Sequence, residues 1–182
     1  MALPLDSCTT ISLIGATGTG KTSWVFKLLT HKDVMFKEPP TAIMYCYAIH
    51  QPLFDRMEIS IPNLTLHEGL PSKATLEEFC DGKHKLILLD DLMVDVVSNG
   101  EMGKLFTQGA HHRRLTVIFI SQNLYAKGKS AKTIALNTHV LVLFKSMRST
   151  GQIAHLGREL FPGRGRVLID AYLDATSKRY GY

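Results

Sequence analysis

Thr9-Thr10-Ile11-Ser12-Leu13-Ile14-Gly15-Ala16-Thr17-Gly18-Thr19-Gly20-Lys21-Thr22 joins an apolar run to the pattern G-x-x-x-x-G-K-T, and Trp24, Val25, Leu28 and Leu29 follow at helical spacing. A strand, a glycine-rich turn and a helix in that order make a cradle for polyphosphate, because backbone N–H groups wrap an anion only where side chains do not hold them off. Gly15, Gly18 and Gly20 are read as permitting the wrapping through positive φ. The helix that begins near Lys21 directs its free N–H groups and positive dipole end at the phosphates, while the Lys21 ammonium reaches the β and γ oxygens. Thr22 brings a hydroxyl for Mg²⁺. The run from Gly15 through Ala16, Thr17, Gly18, Thr19, Gly20, Lys21 and Thr22 to Ser23 is therefore expected to bind ATP with its cation.

Two later stretches carry matching chemistry. Lys85 to Asp91 reads Lys-Leu-Ile-Leu-Leu-Asp-Asp, a fully buried strand with two carboxylates at its C-terminal end, the edge where open α/β sheets hold ligands. Asp90 is the candidate for the Mg²⁺ and Asp91 for the base that polarises the attacking water. Leu115 to Ser121 is another buried strand and ends in Gln122, which suits sensing of the γ-phosphate or orientation of water. Three strands delivering Gly-Lys-Thr, Asp-Asp and Gln to one edge predict one site.

Around these, Thr41–Tyr47, Leu64–His67 and Thr138–Lys145 read as strands. Gln51–Glu58, Thr75–Cys80 with Ser72 as its cap, Met102 to about His112, and Val167–Ala175 read as helices. Thr150–Phe161 is read as a helix that covers the sheet with Ile153, Leu156, Leu160 and Phe161, and Trp24 is read as core. Alternation of strand and helix over 182 residues predicts a single α/β domain over 1–182, with a mostly parallel central sheet flanked by helices as a three-layer sandwich.

Composition limits the class. A hydrophobic fraction of 45% and a charged fraction of 20% are ordinary for a globular chain. Cys8, Cys46 and Cys80 show neither disulfide-framework nor zinc spacing, the histidines lack ligand spacing, and no run is long enough to span a bilayer. The expectation is an intracellular, soluble protein. Of the net charge of +5, the part from Lys127 onward carries ten Lys and Arg against three acids, which is +7 and leaves −2 for the rest. Lys127, Lys129 and Lys132 open this basic third, which suits an anionic polymer.

Taken together, Gly-Ala-Thr-Gly-Thr-Gly-Lys-Thr at 15–22, Leu-Leu-Asp-Asp-Leu at 88–92 and Leu-Phe-Thr-Gln-Gly-Ala-His-His at 105–112 resemble the FtsK/HerA class of P-loop ATPases. Thr-Val-Ile-Phe-Ile-Ser-Gln at 116–122 and Thr-His-Val-Leu-Val-Leu-Phe-Lys at 138–145 extend the resemblance to DNA-packaging ATPases of poxvirus-like and Polinton-like viruses. The resemblance implies a homo-oligomeric ring that hydrolyses ATP at subunit interfaces and drives double-stranded DNA into a capsid. It also implies contact with capsid proteins and a place in the host nucleus, a cytoplasmic virus factory or the virion. Where such ATPases carry an arginine before the glutamine strand this chain has His111, with Arg113 and Arg114 two and three residues on as candidate arginine fingers. The resemblance suggests further sequence past Tyr182. Two rival expectations stand beside it: a small P-loop kinase or nucleotide-binding regulator with Lys127–Lys132 as its lid, and a cellular or plasmid DNA pump.

Overall fold

A computed structural model describes residues 4–99, 112–125, 129–146, 150–178 and 180–182. Of the helix expected from Met102 to about His112, all but His112 lies outside the described residues, His111 included, as does Lys127. The described elements are β1 (Thr10–Ile14), α1 (Lys21–Thr30), α2 (Lys32–Met35), β2 (Ala42–Tyr47), α3 (Pro52–Ser60) and β3 (Leu64–Glu68). Then come α4 (Lys73–Phe79), β4 (Lys85–Asp90), α5 (Met93–Ser98), β5 (Leu115–Ser121), α6 (Lys129–Leu136), β6 (Val140–Leu143), α7 (Thr150–Leu160) and α8 (Arg166–Ala175).

The six strands form one sheet in the order β3-β2-β4-β5-β1-β6, and every pairing in it is parallel. Strands β4 and β5 are buried along their whole length, which is why they read as continuous apolar runs rather than alternating ones. Alternate residues still divide between two cores. Ile11, Leu13, Tyr45, Leu88 and Ile118 meet Val25, Leu28 and Leu29 of α1 and Phe54 and Met57 of α3. On the other face Met44, Cys46, Ile87, Leu89, Val117 and Phe119 meet Leu76 of α4, Val96 of α5 and Ile134 of α6. Two cores on two faces of one sheet make the three-layer α/β sandwich of a P-loop NTPase.

Ser72 caps α4 as expected, its Oγ accepting from the Thr75 N–H at 3.1 Å. Other readings need correction. α5 and α6 form where no helix was read; α6, read only as part of a basic segment, does so by burying Ile134. Strand β6 is shorter than Thr138–Lys145, because Thr138, just past the end of α6, is tied back to that helix, its hydroxyl donating to Ile134 O at 3.0 Å. Trp24 is only half-buried at the edge of the first core.

Helix α7 buries Ile153 and Gly157 and packs chiefly against α8, while Leu160 (57% exposed) and Phe161 (44% exposed) are not part of either core. Two glycines set that geometry. A Cβ at Gly157 would stand 2.4 Å from Gly165 O, so the hairpin closes only without side chains there. Tyr172 fastens the hairpin to the end of β6, its hydroxyl donating to Phe144 O at 3.1 Å and accepting from the Ser146 N–H at 2.8 Å.

Candidate nucleotide-binding site

Beyond the C-terminal ends of the strands lies a cleft of about 660 Å³. Its lining follows the strand order: Ile49, Gln51 and Leu53 after β2, Asp90 and Asp91 at β4, Ser121 and Gln122 at β5, the glycine-rich loop at β1, and Phe144 after β6. Because β5 lies between β4 and β1, Gln122 stands between the acid pair and the loop. The structure thus brings the loop, the two carboxylates and the glutamine into one cleft.

The loop is built residue by residue. Gly15 donates its N–H to Ser121 O at 3.2 Å and so remains in the sheet. Its backbone is not left-handed; a Cβ there would meet Phe144 Cβ at 2.5 Å, and close packing is what requires glycine. Gly18 (φ 74°) and Gly20 (φ 99°) do occupy the left-handed region, as expected. Thr19 Oγ1 braces the turn by donating to Ala16 O at 2.7 Å. Gly15, Ala16 and Thr19 frame the loop, whereas Thr17, Gly18, Gly20, Lys21, Thr22 and Ser23 line the cleft. Gly20 is also the N-cap of α1 and offers no side chain to its first N–H groups, an arrangement that suits an anion.

Lys21 folds back across the loop, Nζ donating to Gly15 O at 2.7 Å and Ala16 O at 2.8 Å. Burial holds its pKa below the ordinary lysine value, against the opposing pull of Asp90 and Asp91. Asp90 is buried at the end of β4, and Tyr45 of the neighbouring β2 donates its hydroxyl to Asp90 Oδ2 at 2.7 Å. Burial raises the Asp90 pKa, while the Tyr45 hydrogen bond and the Lys21 charge restrain the rise. Asp91 turns out of the strand with φ 58°; its N–H donates to Ile120 O at 3.1 Å and its side chain is exposed to the cleft. Aspartate tolerates this left-handed backbone better than most residues.

Among the described residues no group of three or more His, Cys, Asp or Glu could hold a metal by itself. Thr22 and Asp90 offer a hydroxyl and a carboxylate at one cleft, hard oxygen donors that fit Mg²⁺ once phosphate oxygens complete the shell.

Arg113 and Arg114 are not brought to the cleft. They precede β5, whereas Gln122 follows it, so seven strand residues, roughly 23 Å of chain, separate them from the site. Arg114 is ion-paired with Glu38, and an Arg113 guanidinium nitrogen lies 3.9 Å from Glu77. His84 seals the same edge, fully buried, with Nδ1 2.6 Å from Glu38 O and Nε2 2.8 Å from Thr116 Oγ1.

Sequence reasoning missed Tyr45 and the aromatic wall of the cleft. A hydroxyl inside an apolar strand must find a partner, and that was the available signal.

Comparison with protein-family models finds none that matches, and comparison with curated proteins finds none either. Solved structures do match. The chain superimposes on the cytoplasmic domain of EssC with a TM-score of 0.58 at 13% identity over 86% of its own length, and spans 36% of that chain. It superimposes on the genome packaging NTPase B204 from Sulfolobus turreted icosahedral virus 2, in complex with AMP, with a TM-score of 0.54 at 9% identity. That match covers 86% of this chain and 87% of B204. At such identities the likeness is one of fold. Among the described residues no helix is long and apolar enough to cross a membrane.

Proposed function

We propose that the chain is a Mg²⁺-dependent ATPase that works as a homo-oligomeric ring and drives double-stranded DNA, a viral genome, into a capsid. The observation that carries the hydrolase part is the convergence of β4, β5 and β1 on one cleft, with acids, glutamine and phosphate loop in adjacent places. The packaging part is supported by the extent of the likeness to B204, nearly the whole of each chain.

On this reading the N–H groups of Gly20 to Ser23 bind the phosphates, and Lys21 exchanges its two carbonyl partners for phosphate oxygens. Thr22 and Asp90 would hold Mg²⁺ through a hydroxyl and a carboxylate, and the cation would supply neutralisation of phosphate charge there. Asp91, exposed and next to the buried acid, accepts the proton of the attacking water. Gln122 holds that water or a γ-oxygen in line. Arg113 and Arg114 stand too far away to serve their own cleft and are candidates to serve a neighbour's. Lys132, exposed on α6, is a candidate for a DNA phosphate, together with Lys127 and Lys129.

The test is hydrolysis of ATP by the purified chain with and without double-stranded DNA, in the parent and in Lys21→Ala. DNA should raise turnover in the parent, and Lys21→Ala should abolish it with the fold intact by circular dichroism. Turnover unchanged in Lys21→Ala would remove the site assignment. Hydrolysis indifferent to DNA would favour the kinase or regulator reading.

A further inference from the structure

The order of groups along the cleft fixes the direction in which a nucleotide would lie. If the γ-phosphate meets Asp90, Asp91 and Gln122, the phosphate chain crosses the loop away from β4 and β5, and the nucleoside must emerge on the β6 side. That end of the cleft is aromatic. Trp24 at the end of the first turn of α1, Phe144 after β6, and Tyr180 and Tyr182 all line it. Tyr182 lies edge-on to Trp24, centroids 6.2 Å apart at 82°, and tilted over Phe144, centroids 5.4 Å apart. Tyr180 rests on the loop itself, since a Cβ at Gly20 would stand 3.1 Å from Tyr180 Cδ1. Both tyrosines keep more than half of their surface in solvent, 55% for Tyr180 and 59% for Tyr182. Aromatic faces held in place from behind and open to a cleft are what a planar heterocycle stacks on.

We propose that Trp24, Tyr180 and Tyr182 form the platform for the base of the bound nucleotide, and that this platform accepts purines by stacking rather than by reading their edges. The inference rests on the nucleotide reading of the cleft. It extends that reading to a substrate class: stacking is base-tolerant, because every base has a π-face, so GTP should bind nearly as well as ATP. Among the described lining residues at this end Lys27 is the charged group, and a flexible ammonium is a poor reader of a base edge.

Trp24 is the single tryptophan of the chain, so its fluorescence reports on this end of the cleft alone. The experiment measures binding of ATP, GTP and inorganic tripolyphosphate, each with Mg²⁺, by calorimetry and by Trp24 fluorescence, in the parent, Tyr182→Ala and Tyr182→Phe. ATP and GTP should change the Trp24 emission and tripolyphosphate should not. Tyr182→Ala should weaken ATP and GTP by about tenfold and leave tripolyphosphate unaffected, and Tyr182→Phe should restore most of that loss. An equal loss for tripolyphosphate would mean that Tyr182 merely props the loop, and no loss for any ligand would mean that the base lies elsewhere; either overturns the platform. Strong preference for ATP over GTP would overturn the edge-blind part. A parent that binds nucleotides as weakly as tripolyphosphate sinks the platform alone, whereas a parent that binds none of the three sinks the phosphate-loop reading and this inference with it.

Discussion

Asp90 is asked to be charged and buried at once, and the two demands oppose each other. Burial raises its pKa; the Tyr45 hydroxyl and the Lys21 ammonium work in the other direction. Tyr45 remains a donor throughout, because burial and the adjacent Asp90 push its own pKa well above the ordinary phenol. A carboxyl with a raised folded-state pKa favours folding fully below the ordinary carboxylate range, and that contribution is lost as pH climbs through the raised value. Tyr45→Phe removes a hydrogen bond to the charged form and raises the Asp90 pKa further. Denaturant unfolding followed against pH should show the variant about 1.5–3 kcal/mol less stable than the parent at alkaline pH, with the gap narrowing in acid. The acid limb of Mg²⁺-ATP hydrolysis should move to higher pH in step, since Asp90 must ionise to hold the cation. Parallel pH profiles for the two proteins would count against Tyr45 as the residue that tunes Asp90. Thr-Ala-Ile-Met-Tyr-Cys-Tyr shows that the Tyr45 hydroxyl needs a partner but not which one, because that depends on the neighbouring strand and its register.

The loop joining β1 to α1 shows that identical residue types can be required for different reasons. At Gly15 the obstacle is another element: an added Cβ meets the start of the chain after β6. At Gly18 there is nothing within 4 Å, and the obstacle is the backbone alone. Gly15→Ala should therefore force β1 and β6 apart at their C-terminal ends, at a cost of about 1–3 kcal/mol. Gly18→Ala should cost about 1–2 kcal/mol, the strain of a left-handed alanine, and leave the sheet undisturbed. Hydrogen exchange separates the two, since only Gly15→Ala should speed exchange at the Phe144 N–H, which donates to Ile14 O at 2.7 Å. Equal exchange in both variants would refute the packing explanation. Elements with strong periodicity or long apolar runs, α1, β4 and β5, could be read from the sequence. α5 and α6 could not, because each is short, and α7 was given the wrong neighbour because an apolar stripe does not say whether a sheet or another helix covers it.

Across the whole molecule, the strand order separates the two sets of charged candidates. Chain order alone could show that Asp90, Gln122 and Lys21 follow strands, but not that β5 lies between β4 and β1, which is what makes the three adjacent. The same order sends Arg113 and Arg114 to the far edge, tied to Glu77 and Glu38. If they act as fingers, they act on another copy. A mixture of Lys21→Ala with a doubly substituted Arg113→Ala, Arg114→Ala chain should then recover hydrolysis that neither has alone, since each subunit supplies what the other lacks. Arginine fingers are worth roughly 10³ to 10⁵ in rate, so even partial recovery is measurable. Mixtures that co-assemble and stay inactive would leave both arginines as structural ion-pair partners.

The parallel sheet has one more consequence, and it concerns synthesis. Thr10 of β1 stands opposite Val117 of β5, and Ile11 opposite Val140 of β6, so the strand that carries the phosphate loop is made early and gains its neighbours late. At ordinary elongation rates of about 5–20 residues per second, the nascent chain holds Ile11, Leu13 and Ile14 without those neighbours for roughly 5–20 s. The loop strand is thus the part of the chain longest dependent on whatever shields apolar segments at the ribosome, and the cleft cannot exist before translation has passed β5.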